Sequence, residues 1–233
     1  MGEVSKDGFP ALTPVDLLGP LNEIETRYVP KALFIQGDRG LLKGGPRVAI
    51  IGARRVSPEG ARRAKRLAWM LAERGVTIVS GLAEGVDTAA HKGAIEAGGH
   101  TIAVIGTPLD KSYPASNRSL QTFLAESHLV ISQFASGTPV QPRNFPQRNR
   151  TMALISHASV IVEATETSGS LSQGWEALRL GRPLFLVRSI FENPDLKWPA
   201  KMREYGAEVL TDVDDVLDRI PSGNLTDLCD AAF

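Results

Sequence analysis

Seven short, nearly continuous apolar runs punctuate this chain, at 47–51, 76–79, 101–105, 129–132, 159–162, 183–187 and 208–210. Between them, apolar residues recur at helical spacing. Ala64, Leu67, Ala68 and Leu71 form one such stripe. Ser57-Pro58-Glu59-Gly60 precedes it as a cap with proline at the first helical position, which predicts a helix over 57–74. Further helices are predicted near 86–97, 115–126, 148–157, 171–180, 195–205 and 213–219. Strands alternating with helices imply βαβ units with right-handed crossovers. Runs apolar at nearly every position imply a sheet covered on both faces. The fold class is α/β: a Rossmann-like, doubly wound, mostly parallel sheet with helices on both faces.

The first 45 residues break this rhythm. They read as an irregular leader with one short helix after Thr13-Pro14 and a small strand, turn and return over 32–42. The expected organisation is a leader at 1–45, a Rossmann-like domain at 46–220 and a tail at 221–233. A proline-rich loop is expected over 134–147. A hydrophobic content of 42% in 233 residues suits one domain with a sizeable core. No apolar stretch is long enough to span a membrane, and the N-terminus lacks the pattern of a secretory signal. The single cysteine, Cys229, allows no internal disulfide, and a cytoplasmic protein is expected.

Charge changes the picture by its distribution, because the formal net charge is zero. Residues 47–66 hold seven basic side chains against Glu59 alone, whereas from 204 onward eight acids face Arg219 alone. A local field of one sign attracts a counter-charged ligand whatever the total. Arg62, Arg63 and Lys65 read equally well as a solvated helix face.

Chemistry clusters directly after the apolar runs. Gly52-Ala53-Arg54-Arg55 follows the first, Ser80-Gly81-Leu82-Ala83-Glu84-Gly85-Val86-Asp87 the second, and Gly106-Thr107-Pro108 the third. Glu163-Ala164 and Ser168-Gly169-Ser170 follow the fifth. Loops at the carboxyl ends of parallel strands share one edge, so these motifs are expected to converge there. Glycine permits close approach, arginine offers a planar fork to phosphate, and amides at helix starts favour anions. Arg143, Arg148, Asn149 and Arg150, beside Phe145, form a second basic cluster suited to backbone contact and base stacking on single strands.

Each motif also has a structural reading. Arg54 can pair with a core carboxylate. Phe145 can anchor its loop while Arg148 pairs with Glu163, and Ser168 can simply cap a helix. Asp87 and His91 lie four apart, as a structural pair or as a ligand-orienting acid and base. No metal site, cofactor or catalytic nucleophile is expected, since no other His or Cys cluster has ligand spacing and G-x-G-x-x-G is absent.

In order and position these motifs resemble the DNA-processing protein A (DprA/Smf) family. The resemblance covers about residues 28–188. It includes Val48-Ala49-Ile50-Ile51-Gly52-Ala53-Arg54-Arg55, Ser80 to Asp87, Ala90-His91, Tyr113-Pro114, Phe145-Pro146, Arg148-Asn149-Arg150, Glu163-Ala164 and Gly181-Arg182-Pro183. It implies a dimerising Rossmann-like domain that binds single-stranded DNA and helps load the RecA recombinase during transformation, with Arg54 as a DNA contact. It implies no catalytic residue. Two positions depart from the family pattern: Ala53 replaces a serine, removing a hydroxyl contact, and Gln133 replaces a glutamate. Residues 1–27 are too short for the helical module many members carry in front, and 221–233 too short for their winged helix.

Two other functions compete. A phosphoribohydrolase-like enzyme would use Glu163, Asp87 and His91, but the Pro-Gly-Gly-x-Gly-Thr loop of such enzymes is replaced by Thr167-Ser168-Gly169-Ser170. A non-catalytic nucleotide sensor in a stress or defence system would use the same cleft.

Overall fold

The computed structural model describes residues 8–221. In the N-terminal segment, β1 (Ala11–Leu12) leads to α1 (Pro14–Leu18) and α2 (Glu23–Thr26), and β2 spans Leu33–Gly37. Thr13 caps α1 reciprocally with Asp16, and Asn22 caps α2 in the same way with Glu25. β2 is followed by a 3-10 turn over Arg39–Leu42 instead of a returning strand. The expected hairpin therefore does not form. β2 pairs antiparallel with a distant strand, β6, because Leu33, Phe34 and Ile35 bury more apolar area there than a two-stranded ribbon allows.

The remaining elements alternate as expected. They are β3 (Arg47–Ile51), α3 (Pro58–Glu73), β4 (Thr77–Ser80), α4 (Val86–Glu96), β5 (Thr101–Ile105), α5 (Arg118–Ser127) and β6 (Leu129–Ser132). Then follow α6 (Asn144–Ile155), β7 (Ala158–Ile161), α7 (Ser170–Arg179), β8 (Leu184–Val187), α8 (Arg188–Phe191), α9 (Trp198–Glu204), β9 (Glu208–Leu210) and α10 (Asp214–Leu217). Two differences are local. α6 begins inside the expected proline-rich loop, placing Phe145 in its first turn. The stretch near 195–205 is preceded by the extra short helix α8.

The sheet order is β1-β2-β6-β5-β4-β3-β7-β8-β9, parallel from β6 to β9. Successive β3 residues point to opposite faces. Val48 and Ile50 meet Ala64, Ala68 and Leu71 of α3 and Ala90 of α4, while Ala49 and Ile51 join the cluster holding Met152 and Ile155 of α6. The order reverses between β3 and β7, which opens a crevice outside their carboxyl ends. No helix among the described residues is long and apolar enough to cross a membrane.

Buried His91 and half-buried His157 tie helices and loops to the sheet. The Thr101 hydroxyl donates to the Ile78 carbonyl (2.9 Å), so Nδ1 of His91 carries the proton it gives to that hydroxyl (2.7 Å). Burial, with His128 and Arg148 nearby, pushes His91 down to about 3. Burial, with Arg47 and Arg182, pushes His157 down to about 4. Both rings are neutral in the folded protein, whereas an unfolded histidine titrates near ~6.5. Below that pH the unfolded chain binds more protons, so this stability is complete above it and lost on acidification. Each ring should cost about 2 kcal/mol between pH 7 and pH 5. Urea unfolding of the protein and of His91→Gln at both pH values checks this: the variant should lose about half of the two-histidine contribution, and identical pH dependence would contradict it.

Candidate functional site

Three segments close on the crevice. The loop after β3, the start of α6 and the loop after β7 line a cavity of about 350 Å³ together with Ala83 from the loop after β4 and Asp87 from the first turn of α4. The strand-end motifs thus converge at the switch point. Two of their glycines, Gly52 and Gly85, pack loop on loop. A Cβ on Gly52 would meet Val86 and the Glu163 carbonyl, and one on Gly85 (φ +79°) would meet the Ala53 and Arg54 carbonyls. Val86 N–H donates to the Ala53 carbonyl (3.2 Å) and Ala53 N–H to that of Glu163 (2.7 Å).

Glu163 does not meet Arg148. Its carboxylate accepts from the Ser57 amide (2.9 Å) and the Ser57 hydroxyl, pinning the loop that carries Arg54 and the cap of α3. Gly60 makes room, because a Cβ there would fall within 2.2 Å of Oε2. Glu163 is a clamp here.

Arg148 is also a structural group, in contrast to the exposed phosphate contact expected of it. It is 5% exposed, and its Nη1 donates to the Val104 carbonyl (2.7 Å). It lies so tightly on Gly81 that a Cβ there would sit 1.7 Å from Nη1. Burial pushes Asp87 up, opposed by the Arg148 guanidinium, and its carboxylate accepts from the Ala83 amide (3.3 Å). Asp87 and His91 are not hydrogen-bonded to each other, since His91 holds Thr101. Ser80 is fully buried and donates to the Ile50 carbonyl.

Other candidates divide by position. Asn149 is buried and bonds the Gly169 carbonyl and the Ser172 hydroxyl, joining α6 to α7. Arg150 points elsewhere, to Glu176 (3.0 Å) and over the Tyr28 ring. Arg62 and Arg63 pair with Glu59, and Lys65 with Glu96, so these are a solvated helix face. Ser168 does not cap α7; Gly169 holds that position, and the Ser168 hydroxyl accepts from the Thr165 amide (2.8 Å). Gln133, where a glutamate was expected, accepts from the Thr151 hydroxyl.

Arg54, Arg55 and Arg143 are exposed. Arg54 stands over the Phe145 ring, 5.2 Å from its centroid, and the Tyr113 ring lies tilted beside Phe145 with 5.4 Å between centroids. Tyr113 is 49% exposed. Gly106 supports this ledge, because a Cβ would come within 2.7 Å of the Phe145 ring. Beyond Tyr113 opens a second cavity, whose wall includes Lys111, Arg118 and Gln121. In the first cavity, Arg148, Ser170 and Gln173 each keep a buried polar atom with no protein partner. Sequence reasoning passed over Gln173, Lys111 and Arg118. A glutamine on the inward stripe of α7 is the signal that would have found the first. Among the described residues, no group of His, Cys, Asp and Glu could hold a metal ion. Cys229 lies outside the described residues.

The family model described as DNA recombination-mediator protein A matches residues 6–221. The chain belongs to this family. It is 37% identical to DNA processing protein DprA of Streptococcus pneumoniae, over 90% of this chain and 73% of that one. It is 35% identical to protein Smf of Escherichia coli, over 88% of this chain and 54% of that one. The chain thus spans about half to three quarters of these relatives. The structure of the S. pneumoniae protein superposes with a TM-score of 0.81 over 92% of this chain and 75% of that one, at 35% identity. That of DNA processing protein A from Helicobacter pylori, described for its single-stranded DNA binding mode, superposes with a TM-score of 0.75 over 95% and 96%, at 28% identity.

Gly106→Ala should leave the family fold intact yet displace Phe145 from beneath Arg54. Glu163→Ala should cost about 1–3 kcal/mol through the lost bonds to Ser57. Urea denaturation measures the second; an unchanged midpoint would show that the clamp contributes nothing.

Proposed function

We propose that this chain binds single-stranded DNA along the carboxyl edge of its sheet. The observation that carries this is the ledge of Arg54, Phe145 and Tyr113 between two cavities. Successive bases stack on exposed rings whatever their identity, while arginine tracks the backbone. Arg54, Arg55 and Arg143 supply exposed charge. The unpartnered atoms of Ser170 and Gln173 suit a polar strand component in the cavity. Likeness to the Helicobacter protein supports the same ligand.

The chain acts as a binder, without chemistry on the strand. The groups first suspected of catalysis are engaged otherwise: Glu163 clamps Ser57, and His91 is neutral and bonded to Thr101. The proposed role is cytoplasmic, in recombination or DNA uptake, with RecA as the receiving partner and a homodimer as the working form; of these, membership of the recombination-mediator family supports the role in recombination. On the final helices, the exposed Tyr205 packs edge-on against Trp175 and offers apolar surface to such a partner.

Fluorescence anisotropy with oligo(dT) at several salt concentrations tests this. Arg54→Ala should weaken binding and reduce the magnitude of the log–log salt slope by about 0.7, the share of one phosphate on a single strand. An unchanged affinity and slope would remove Arg54 from the footprint. Tyr113→Leu should weaken binding by about tenfold, within the ~1–3 kcal/mol of one stacked base, and Tyr113→Phe should restore it. Equal loss in both would point to the hydroxyl instead of the ring. Release of free base from a nucleoside monophosphate would favour the enzyme.

A further inference from the structure

The opposite edge of the sheet carries a second cluster that the strand-binding site does not use. Arg47 opens β3, His157 immediately precedes β7, and Arg182 stands two residues before β8. β3, β7 and β8 are neighbours, so the three side chains are brought together at the amino edge. They line a cavity of about 450 Å³, with Lys43, Glu25 and Asp16 also in its wall. It lies about one strand length, roughly 15 Å, from the strand-end loops at ~3.3 Å per residue.

The donors in this cluster outnumber its acceptors. Arg47 is 7% exposed, and no carboxylate pairs with it within 4.0 Å among the described residues. Its Nε donates to the Ile155 carbonyl (2.7 Å) and its Nη1 to that of Leu42 (2.8 Å). Its backbone N–H donates to Nδ1 of His157 (2.9 Å). A neutral His157 therefore carries its proton on Nε2. That N–H and Nη2 of Arg47 face each other at 3.4 Å, two donors with no acceptor between them. Arg182 spends Nη2 on Glu25, while its buried Nε has no partner. Glu25 is itself committed to the Asn22 amide (2.9 Å), and Asp16 to the cap of α1. Burial first, and the charge of Arg182 second, pushes Arg47 down to about 10; burial first, then Arg47 and Arg182, lowers His157, so positive neighbours add to the cost of burial at both groups.

We infer that the amino edge of the sheet holds an oxyanion-binding site, in which a phosphate or carboxylate group accepts from Arg47 Nη2, His157 Nε2 and Arg182 Nε. An oxyanion with several lone pairs suits converging N–H donors, and charge-assisted bonds to a guanidinium are the strong ones. The site is independent of strand binding, because none of its residues touches the ledge. Bound there, the anion would join the segment carrying α1 and α2 to the starts of β3, β7 and β8.

The test titrates inorganic phosphate, and separately acetate, into the full chain. The readouts are the ring 15N resonances of His157 and thermal unfolding. A saturable shift of His157 Nε2 with a matching rise in Tm is expected for at least one of the two anions, and the stronger identifies the ligand class. Arg54→Ala should leave it unchanged. Arg182→Gln should weaken it about tenfold, the loss of one charge-assisted hydrogen bond. If that variant folds poorly, Lys43→Gln at the rim gives a smaller weakening in the same direction. A static His157 resonance with both anions, or binding abolished by Arg54→Ala, would overturn the assignment.

Discussion

The grip of Glu163 on Ser57 is the contact on which the site depends. It spans the one place where a doubly wound sheet is divided: the strands on either side of the crevice send their chains away in opposite directions. Glu163 follows β7, Ser57 caps the helix that follows β3, and the carboxylate between them holds the two halves at a set distance. The same residue's carbonyl accepts from Ala53. The segment bearing Arg54 is thus fixed at both ends of a short loop while its guanidinium remains in solvent. Gly52 and Gly60 are required because each lies where a Cβ would strike Glu163.

Beneath that clamp, charge is divided into two kinds. Arg148 and Asp87 are buried and belong to the framework, and removing either would strand the other in a poorly solvated place. Arg54, Arg55 and Arg143 are exposed, so they can exchange counterions for phosphates at little desolvation cost. The aromatic ledge joins the two kinds. Phe145 sits in the first turn of α6, the helix that also carries Arg148. Packing that fixes the buried arginine therefore also fixes the ring. The amino edge repeats the theme with a different outcome. Arg47 is buried, held by carbonyls, and short of an acceptor at one nitrogen.

Several features were legible in the chain because they rest on local rules. The strands at 47–51, 101–105 and 129–132 have the expected limits because each run is buried on both faces from end to end, and the half-buried strand at 208–210 matches as well. The α3 cap follows from Ser57-Pro58 alone. The hairpin expected over 32–42 does not form because an apolar run cannot name its partner, and β6 lies more than ninety residues away. α6 starts earlier than its sequence suggests because the prolines around its start resemble a loop, although Pro146 fits a first helical turn.

By itself the sequence determined the class of fold, the edge at which the motifs gather, and the family. Periodicity, caps and ordered motifs are local properties, and a parallel sheet turns them into a shared edge. Tertiary structure alone decided which arginines are available. Arg54 and Arg148 look alike in sequence, yet one stands over a ring in solvent and the other lies under β5 against Gly81. It alone brought Tyr113 to Phe145, and Arg47 to His157 across 110 positions. Burial and pairing depend on what arrives from elsewhere in the chain, and no local pattern encodes that arrival.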